Sequence, residues 1–175
     1  MWVHTRDVVR DAASRPVASS AAVLSGLSLE DAHHRPQDRG NSIAWLVWHA
    51  ARQMDVQTVE LSGDDTVWFC GGWASRLGVD RDEGDFGLGD SGEDVAALRI
   101  SDLPALQEYL AACVDALVAY ADTLSGSDLG VVIDDSYDPP VTQAVRLVSI
   151  IDDAAVHIGQ AGYVRGLLDG WTIGV

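Results

Sequence analysis

Apolar residues in the second half of the chain recur at intervals of three and four, the spacing of one face of an α-helix. The first such series is Leu106, Leu110, Cys113, Leu117, Tyr120 and Leu124. The second series is Leu147, Ile150, Ala154, Ala161, Val164 and Leu168, and His157 falls on the same face. Asp102, two residues before Pro104, suits the start of the first of these helices. The pattern predicts two long amphipathic helices, the second with a histidine on its buried face.

Two further helices are predicted in the first half of the chain. The stretch "NSIAWLVWHAARQMDVQTVELSG", residues 41–63, has Asn41 or Ser42 as a ready N-cap and Gly63 as a ready stop. The segment from Thr5 to Leu24 is rich in alanine and valine. Pro16 should kink this segment or restart the helix, because proline has no N–H to give the preceding turn.

Residues 63–103 join the second and third predicted helices and are rich in glycine and aspartate. Long excursions of this kind are often lids or binding loops. Here Trp68, Trp73 and Phe86 either cover a functional site or form a satellite core under the loop. With no comparable strand pattern, the sequence predicts an all-α fold: an up-down-down-up or up-down four-helix bundle with a long irregular connection between helices 2 and 3. The 175 residues fit one domain, residues 1–175.

Charge and composition narrow the function classes. The chain has 11 Lys plus Arg against 27 Asp plus Glu, a net charge of -16, which repels phosphate backbones and anionic lipids. We therefore expect no nucleic-acid partner and no membrane partner. No apolar run approaches the roughly 20 residues of a membrane span and no secretory signal is evident, so a cytoplasmic location is expected. Cys70 and Cys113 are expected to be reduced thiols.

Two polar residues of the last helix share one side. A helix turns by about 100° per residue, so Asp153 and His157 lie only about 40° apart around the axis. Asp152 lies about 140° from His157 and should face solvent or a neighbouring subunit. A bare buried carboxylate costs several kcal/mol unless it is paired or binds a metal, so Asp153 needs a partner.

His49 is likewise a polar residue on a face that is expected to be buried. It lies on the second predicted helix, among the apolar residues Trp45, Leu46 and Trp48. A bundle that places these two helices side by side would bring His49 to Asp153 and His157. Two histidines and one carboxylate give a divalent metal three ligands and leave one position open, as in catalytic sites. Two other interpretations stay open: each histidine is hydrogen-bonded in the core, or Asp153 and His157 form an intrahelical pair without metal.

The two motifs resemble a known family. "NSIAWLVWHAARQMD" followed at long distance by "DPPVTQAVRLVSIIDDAAVHIGQAGYVRGLL" is similar to the DinB/YfiT-like superfamily of four-helix proteins. The similarity runs from about Leu27 to Leu168. Within the superfamily it favours the actinobacterial branch related to mycothiol-dependent maleylpyruvate isomerase, because that branch has a carboxylate where many members have a third histidine.

The resemblance implies a DinB-like bundle with a divalent metal held by His49, Asp153 and His157, zinc as the first expectation and nickel as the second. It implies that a low-molecular-weight thiol such as mycothiol binds the open metal position, becomes a thiolate and attacks a small-molecule electrophile. The expected activity is an S-transferase or isomerase, with metal-bound water or thiolate as the reactive group. The alternatives are a metal-dependent hydrolase and a non-catalytic bundle that binds a metal or small ligand. Family habit implies a homodimer.

Several other residues are secondary candidates for a functional or structural role. Gln160 could orient the imidazole of a metal ligand, and Arg165 could bind a cofactor, although a structural role in the last turns of its helix comes first for Arg165. Gly162 and Gly166, four residues apart, would let another helix approach closely, either inside the bundle or across a dimer contact. His4, His33 and His34 lie in terminal or polar segments and are expected to face solvent.

Overall fold

The computed structural model describes residues 5–173. The helices are α1 Thr5–Leu24, α2 Leu29–Ala32, α3 Ile43–Ser62, α4 Val67–Cys70, α5 Trp73–Leu77, α6 Gly92–Ala97, α7 Leu103–Thr123 and α8 Gln143–Asp169. Single 3₁₀ turns occupy Pro36–Asp38 and Asp128–Gly130. The all-α prediction is confirmed, with one addition. A two-stranded antiparallel hairpin, β1 Val132–Asp134 and β2 Val141–Thr142, precedes α8 and is too short to give a periodic signal.

The predicted helix starts and stops are present. The side chain of Ser42 accepts a hydrogen bond from the amide of Trp45, and Asp102 caps α7 in the same way. Gly63 ends α3 in a left-handed conformation with φ of 76°, which a residue without a Cβ adopts at no steric cost. Pro16 lies buried inside α1, which is one continuous helix, so the expected restart does not occur.

The four long helices pack around one hydrophobic core. Both α1 and α3 pack against α7 and α8, so α1 and α3 lie diagonally across the bundle. The neighbouring positions of α3 and α8 are those that the histidine and aspartate pattern requires. Most residues of the two predicted seams are buried, whereas Tyr120, Leu124, His157 and Leu168 are only partly buried. None of the helices in residues 5–173 has the length and apolarity that a bilayer crossing requires.

The connection between α3 and α7 is folded against the bundle. It contains α4, α5 and α6, and the indoles of Trp68 and Trp73 both pack against the ring of Tyr109 on α7. These two tryptophans are 4% and 5% exposed, so they belong to the core and the lid interpretation is wrong for them. Under this cover α3 is buried on nearly every side over its first four turns.

A buried ion pair on α3 anchors the connection. Asp55 accepts hydrogen bonds from the amides of Val67 and Trp68, both at 2.8 Å, and from the hydroxyl of Tyr109 at 2.7 Å. Arg52, 3.1 Å from Asp55 and fully buried, donates to the carbonyl oxygens of residues 83 and 85. The pair therefore fixes both the start of the connection and its later segment.

Candidate metal centre

Among residues 5–173, His49, Asp153 and His157 form the one group of three histidine, cysteine or acidic side chains whose ligand atoms converge, all within 4.8 Å of one another. Asp153 Oδ2 lies 3.9 Å from Nε2 of His49, and Asp153 Oδ1 lies 3.5 Å from Nε2 of His157. Two ligands on a tetrahedral zinc ion are roughly 3.3 Å apart when each bond is about 2.0 Å. Small side-chain movements would bring the three groups to that separation.

Helix geometry accounts for the cluster. His49 comes from the second turn of α3, and Asp153 and His157 stand one turn apart on α8, which packs directly against α3. Asp152 is exposed, as its angular position predicts. His49 is 6% exposed, whereas the side chain of Asp153 is 40% exposed. The cluster therefore has a closed side at α3 and an open side toward solvent, as a site that admits a small molecule requires.

The tautomer of His49 is fixed by its surroundings. Its Nδ1 lies 2.5 Å from the carbonyl oxygen of Phe86. A carbonyl only accepts hydrogen bonds, so Nδ1 carries the proton and Nε2 presents a lone pair to the centre of the cluster. Burial lowers the pKa of His49 below its ordinary value, more than the bond to Phe86 raises it. The imidazole is therefore neutral at pH 7, the form that binds metals.

His157 has a similar arrangement. Its Nδ1 lies 3.2 Å from Oε1 of Gln160, an acceptor, which again leaves Nε2 facing Asp153. The hydrogen bond that protonated His157 donates to Asp153 raises the pKa of His157, and burial opposes this effect only in part. A metal that binds here would therefore displace a proton that His157 holds more firmly than an ordinary histidine. Gln160 contacts the predicted imidazole, and its role beside a metal stays a prediction.

One oxygen of Asp153 has no hydrogen-bond partner. Its Oδ2 is shielded from solvent, and its near neighbour at 3.9 Å is Nε2 of His49, which carries a lone pair and no proton. A buried carboxylate oxygen that faces another lone pair costs free energy, and a cation between the two atoms would remove that cost. Two imidazole nitrogens and one carboxylate oxygen are a donor set that suits zinc. The residues present therefore fit a divalent metal.

A layer of contacts behind His49 was not predicted from the sequence. The indole of Trp45 stacks on the imidazole with ring centroids 4.7 Å apart and planes 5° apart. Its Nε1 donates to Asp90 at 2.8 Å, and Asp90 forms an ion pair with Arg81 at 3.0 Å. The ring of Phe86 lies 6.2 Å from the His49 ring, so Phe86, unlike the two tryptophans, does border the site.

Arg165 lies in another part of the bundle. Its guanidinium donates to three carbonyl oxygens at the end of α1, those of Ala22, Val23 and Ser25. These bonds satisfy carbonyls that have no partner within α1 and match the structural role placed first for Arg165. Its part in cofactor binding stays a prediction. The close approach of another helix is present at Gly162, where Val23 of α1 lies nearby. At Gly166 the near neighbour is instead Trp171, which follows the end of α8.

The other described histidines, His33 and His34, do not belong to the cluster. His34 is exposed as expected, but His33 is half-buried and accepts from the amide of Ile100 through Nε2, so the expectation of solvent exposure is wrong for it. His4 lies outside the described residues. The most exposed large apolar residues of α8 are Val148, Tyr163 and Leu167, at 66%, 70% and 60%. The homodimer stays a prediction.

Comparisons with known proteins identify the family and agree with the fold. The sequence model of the family described as Mycothiol-S-transferase matches residues 10–170. The crystal structure described as that of the conserved protein of locus from Enterococcus faecalis is similar, with a TM-score of 0.88 and 31% sequence identity. That likeness covers 97% of this chain and 100% of the other. A search of curated proteins found no significant match.

Proposed function

The chain belongs to the mycothiol S-transferase family, a DinB/YfiT-like family, and from this we propose that it is a metal-dependent enzyme that transfers the sulfur of a low-molecular-weight thiol to a small electrophile. The proposed metal ligands are His49, Asp153 and His157. Zinc is the proposed metal, with nickel second, and mycothiol or a similar thiol is the proposed co-substrate. A cytoplasmic location goes with this proposal, because low-molecular-weight thiols are kept reduced there.

The observation that carries the metal proposal is the unpartnered Oδ2 of Asp153, which faces the lone pair of His49. A bound divalent ion would act as a Lewis acid that lowers the pKa of a thiol at the open position. The two imidazoles are held with Nε2 inward by the Phe86 carbonyl and by Gln160. Two neutral ligands and one carboxylate leave a net positive charge of about one on a divalent ion, which favours an anionic fourth ligand.

The chain's own residues also control access to the centre. Trp45 and Phe86 cover the His49 side with aromatic surface, which excludes water from that imidazole and keeps it rigid. The Asp153 side is open, so a thiol and its electrophile would approach there. Transfer would form a bond between the thiol sulfur and the electrophilic atom while the bond from that atom to its leaving group breaks. The leaving group would take the electron pair of the broken bond, and the thiol proton would pass to solvent on this open side.

The proposal predicts that thiol binding depends on the metal. Isothermal titration of zinc-loaded protein with mycothiol should show binding with release of about one proton, read from the dependence of the heat on the ionisation enthalpy of the buffer. Metal-free protein should bind the thiol at least about tenfold more weakly, because the proton loss is no longer favoured. The methyl thioether of mycothiol serves as control, since it has no thiol proton to lose. Equal affinity with and without zinc, and no proton release, would rule out a thiol at the metal position.

A further inference from the structure

Two guanidinium groups hold the segment that carries Phe86: Arg52 binds its backbone carbonyls, and Arg81 binds its carboxylates. We infer that Arg81 is a positioning residue for the metal centre: it fixes the tautomer and the orientation of His49 through two separate contacts on either side of Phe86. The metal-binding role of His49 rests on the proposed function, whereas the tautomer of His49 is a property of the metal-free chain. Arg81 lies 32 positions after His49, on another segment, and does not belong to the cluster itself.

Arg81 lies between two carboxylates of the same short segment. Its Nη1 contacts Oδ2 of Asp85 at 2.8 Å and Oδ1 of Asp90 at 3.0 Å, and its Nη2 contacts Oδ2 of Asp90 at 3.0 Å. The Arg81 side chain is 18% exposed and that of Asp90 is 9% exposed, so these pairs are partly shielded from solvent. The three side chains close the segment 81–90 into a loop with Phe86 inside it.

The first of these contacts links Arg81 to the Phe86 carbonyl through the side chain of Asp85. Oδ1 of Asp85 accepts a hydrogen bond from the amide of Gly87 at 2.8 Å, which fixes the peptide group between Phe86 and Gly87, the one whose carbonyl faces His49. Gly87 has φ of 85°, and a Cβ there would lie 3.0 Å from the rings of both Trp45 and Trp48. The backbone at this point therefore lies directly on the indoles, and the carbonyl of Phe86 is held over Nδ1 of His49.

The second contact links Arg81 to the face of the His49 ring through Asp90 and Trp45. Asp90 accepts from Nε1 of Trp45 at 2.8 Å, and the Trp45 ring is the one stacked on the imidazole. Stacking on Trp45 thus fixes the plane of the His49 ring, and the hydrogen bond to the Phe86 carbonyl fixes the orientation of the ring within that plane. Both constraints depend on Arg81, because its guanidinium binds Asp85 and Asp90. Without its charge, Asp85 and Asp90 would face each other as like charges, and the segment would move apart.

The test uses Arg81→Gln, with Arg76→Gln as a matched control. Arg76 lies in the same connection and makes an ion pair with Glu108 and a stacking contact with Trp73, neither of which belongs to the segment 81–90. Nitrogen-15 shifts of the His49 ring, measured without metal at a pH where the imidazole is neutral, report which nitrogen carries the proton. Zinc affinity is measured in parallel by competition with a chelator.

We expect wild type and Arg76→Gln to show one His49 tautomer, with the proton on Nδ1, whereas Arg81→Gln shows a mixture of tautomers. The zinc dissociation constant of Arg81→Gln should rise about tenfold, the size of effect seen when a group that orients a ligand is removed. A folded Arg81→Gln protein with the single Nδ1 tautomer and a zinc affinity within about twofold of wild type would overturn the inference.

Two further outcomes are also decisive. If Arg81→Gln does not fold, Asp90→Asn replaces it, because this variant keeps an acceptor for Trp45 but loses the charge that Arg81 binds. The same mixture of tautomers supports the inference, and an unchanged Nδ1 tautomer overturns it. If wild type binds no zinc, the proposed metal centre fails. The tautomer in metal-free Arg81→Gln then decides the positioning role without reference to zinc.

Discussion

Replacing His157 with alanine is expected to weaken zinc binding by more than about a hundredfold, because substitution of groups that merely orient a metal ligand already costs about 10- to 100-fold. The substitution removes one of the three ligand atoms that converge within 4.8 Å. His49 and Asp153 would remain, two ligands that cannot hold a catalytic zinc site by themselves. The measurement is a competition titration against a chromogenic zinc chelator.

The control is Asp152→Ala, one residue from Asp153 on the same helix. Asp152 is exposed and faces away from the cluster, so this variant should keep the zinc affinity of wild type. This control shows whether a substitution on the solvent-facing side of the same helix, which also removes a negative charge near the cluster, changes zinc affinity by itself. If the zinc affinities of His157→Ala and wild type are equal, the assignment of His157 as a ligand is wrong.

Replacing Asp55 with alanine is expected to lower the free energy of unfolding by about 3–5 kcal/mol, the usual cost of leaving one member of a buried ion pair without its partner. Arg52 is 0% exposed and would keep its charge with no carboxylate beside it. The amides of Val67 and Trp68 and the Tyr109 hydroxyl would also lose their acceptor. Urea unfolding of the metal-free protein measures the change.

Asp64→Ala is the matched control for this substitution, because Asp64 is exposed in the same region of the chain. Its effect should stay within about 0.5 kcal/mol, as for most surface substitutions. A change of less than about 1 kcal/mol for Asp55→Ala would contradict the role given to the pair. Because Arg52 also binds the carbonyl of Asp85, we expect partial loss of order in the segment that carries Phe86.

The parts of the site that lie on long helices follow from the sequence. Helical spacing alone separates Asp153 from Asp152 and places His157 on the same side as Asp153, and the exposure of Asp152 in the structure agrees. His49 is recognisable because it interrupts an apolar stretch of a helix with clear caps. A regular period of about 3.6 residues converts sequence positions into angles, so the side of the helix on which each residue lies follows from its position in the chain.

The support behind His49 could not be predicted in this way. Its hydrogen-bond acceptor is the backbone carbonyl of Phe86, which carries no signal in the side-chain sequence. Trp45 and Asp90 meet across 45 positions, and the segment around Asp90 has no period that gives a direction to its side chains. Aromatic composition likewise could not separate Phe86, which borders the site, from Trp68, which fills the core.

The most direct test of the account is the rate of mycothiol consumption with a panel of small electrophiles: an alkyl halide, an epoxide and a quinone. Wild type and His49→Ala protein are compared after incubation with zinc, with Asp152→Ala as the folded control that keeps all three ligands. The account predicts that wild type and Asp152→Ala accelerate thiol consumption with at least one electrophile, and that His49→Ala does not exceed the rate without enzyme. If no electrophile is consumed faster by wild type than by His49→Ala, the proposed thiol transfer at this centre is wrong.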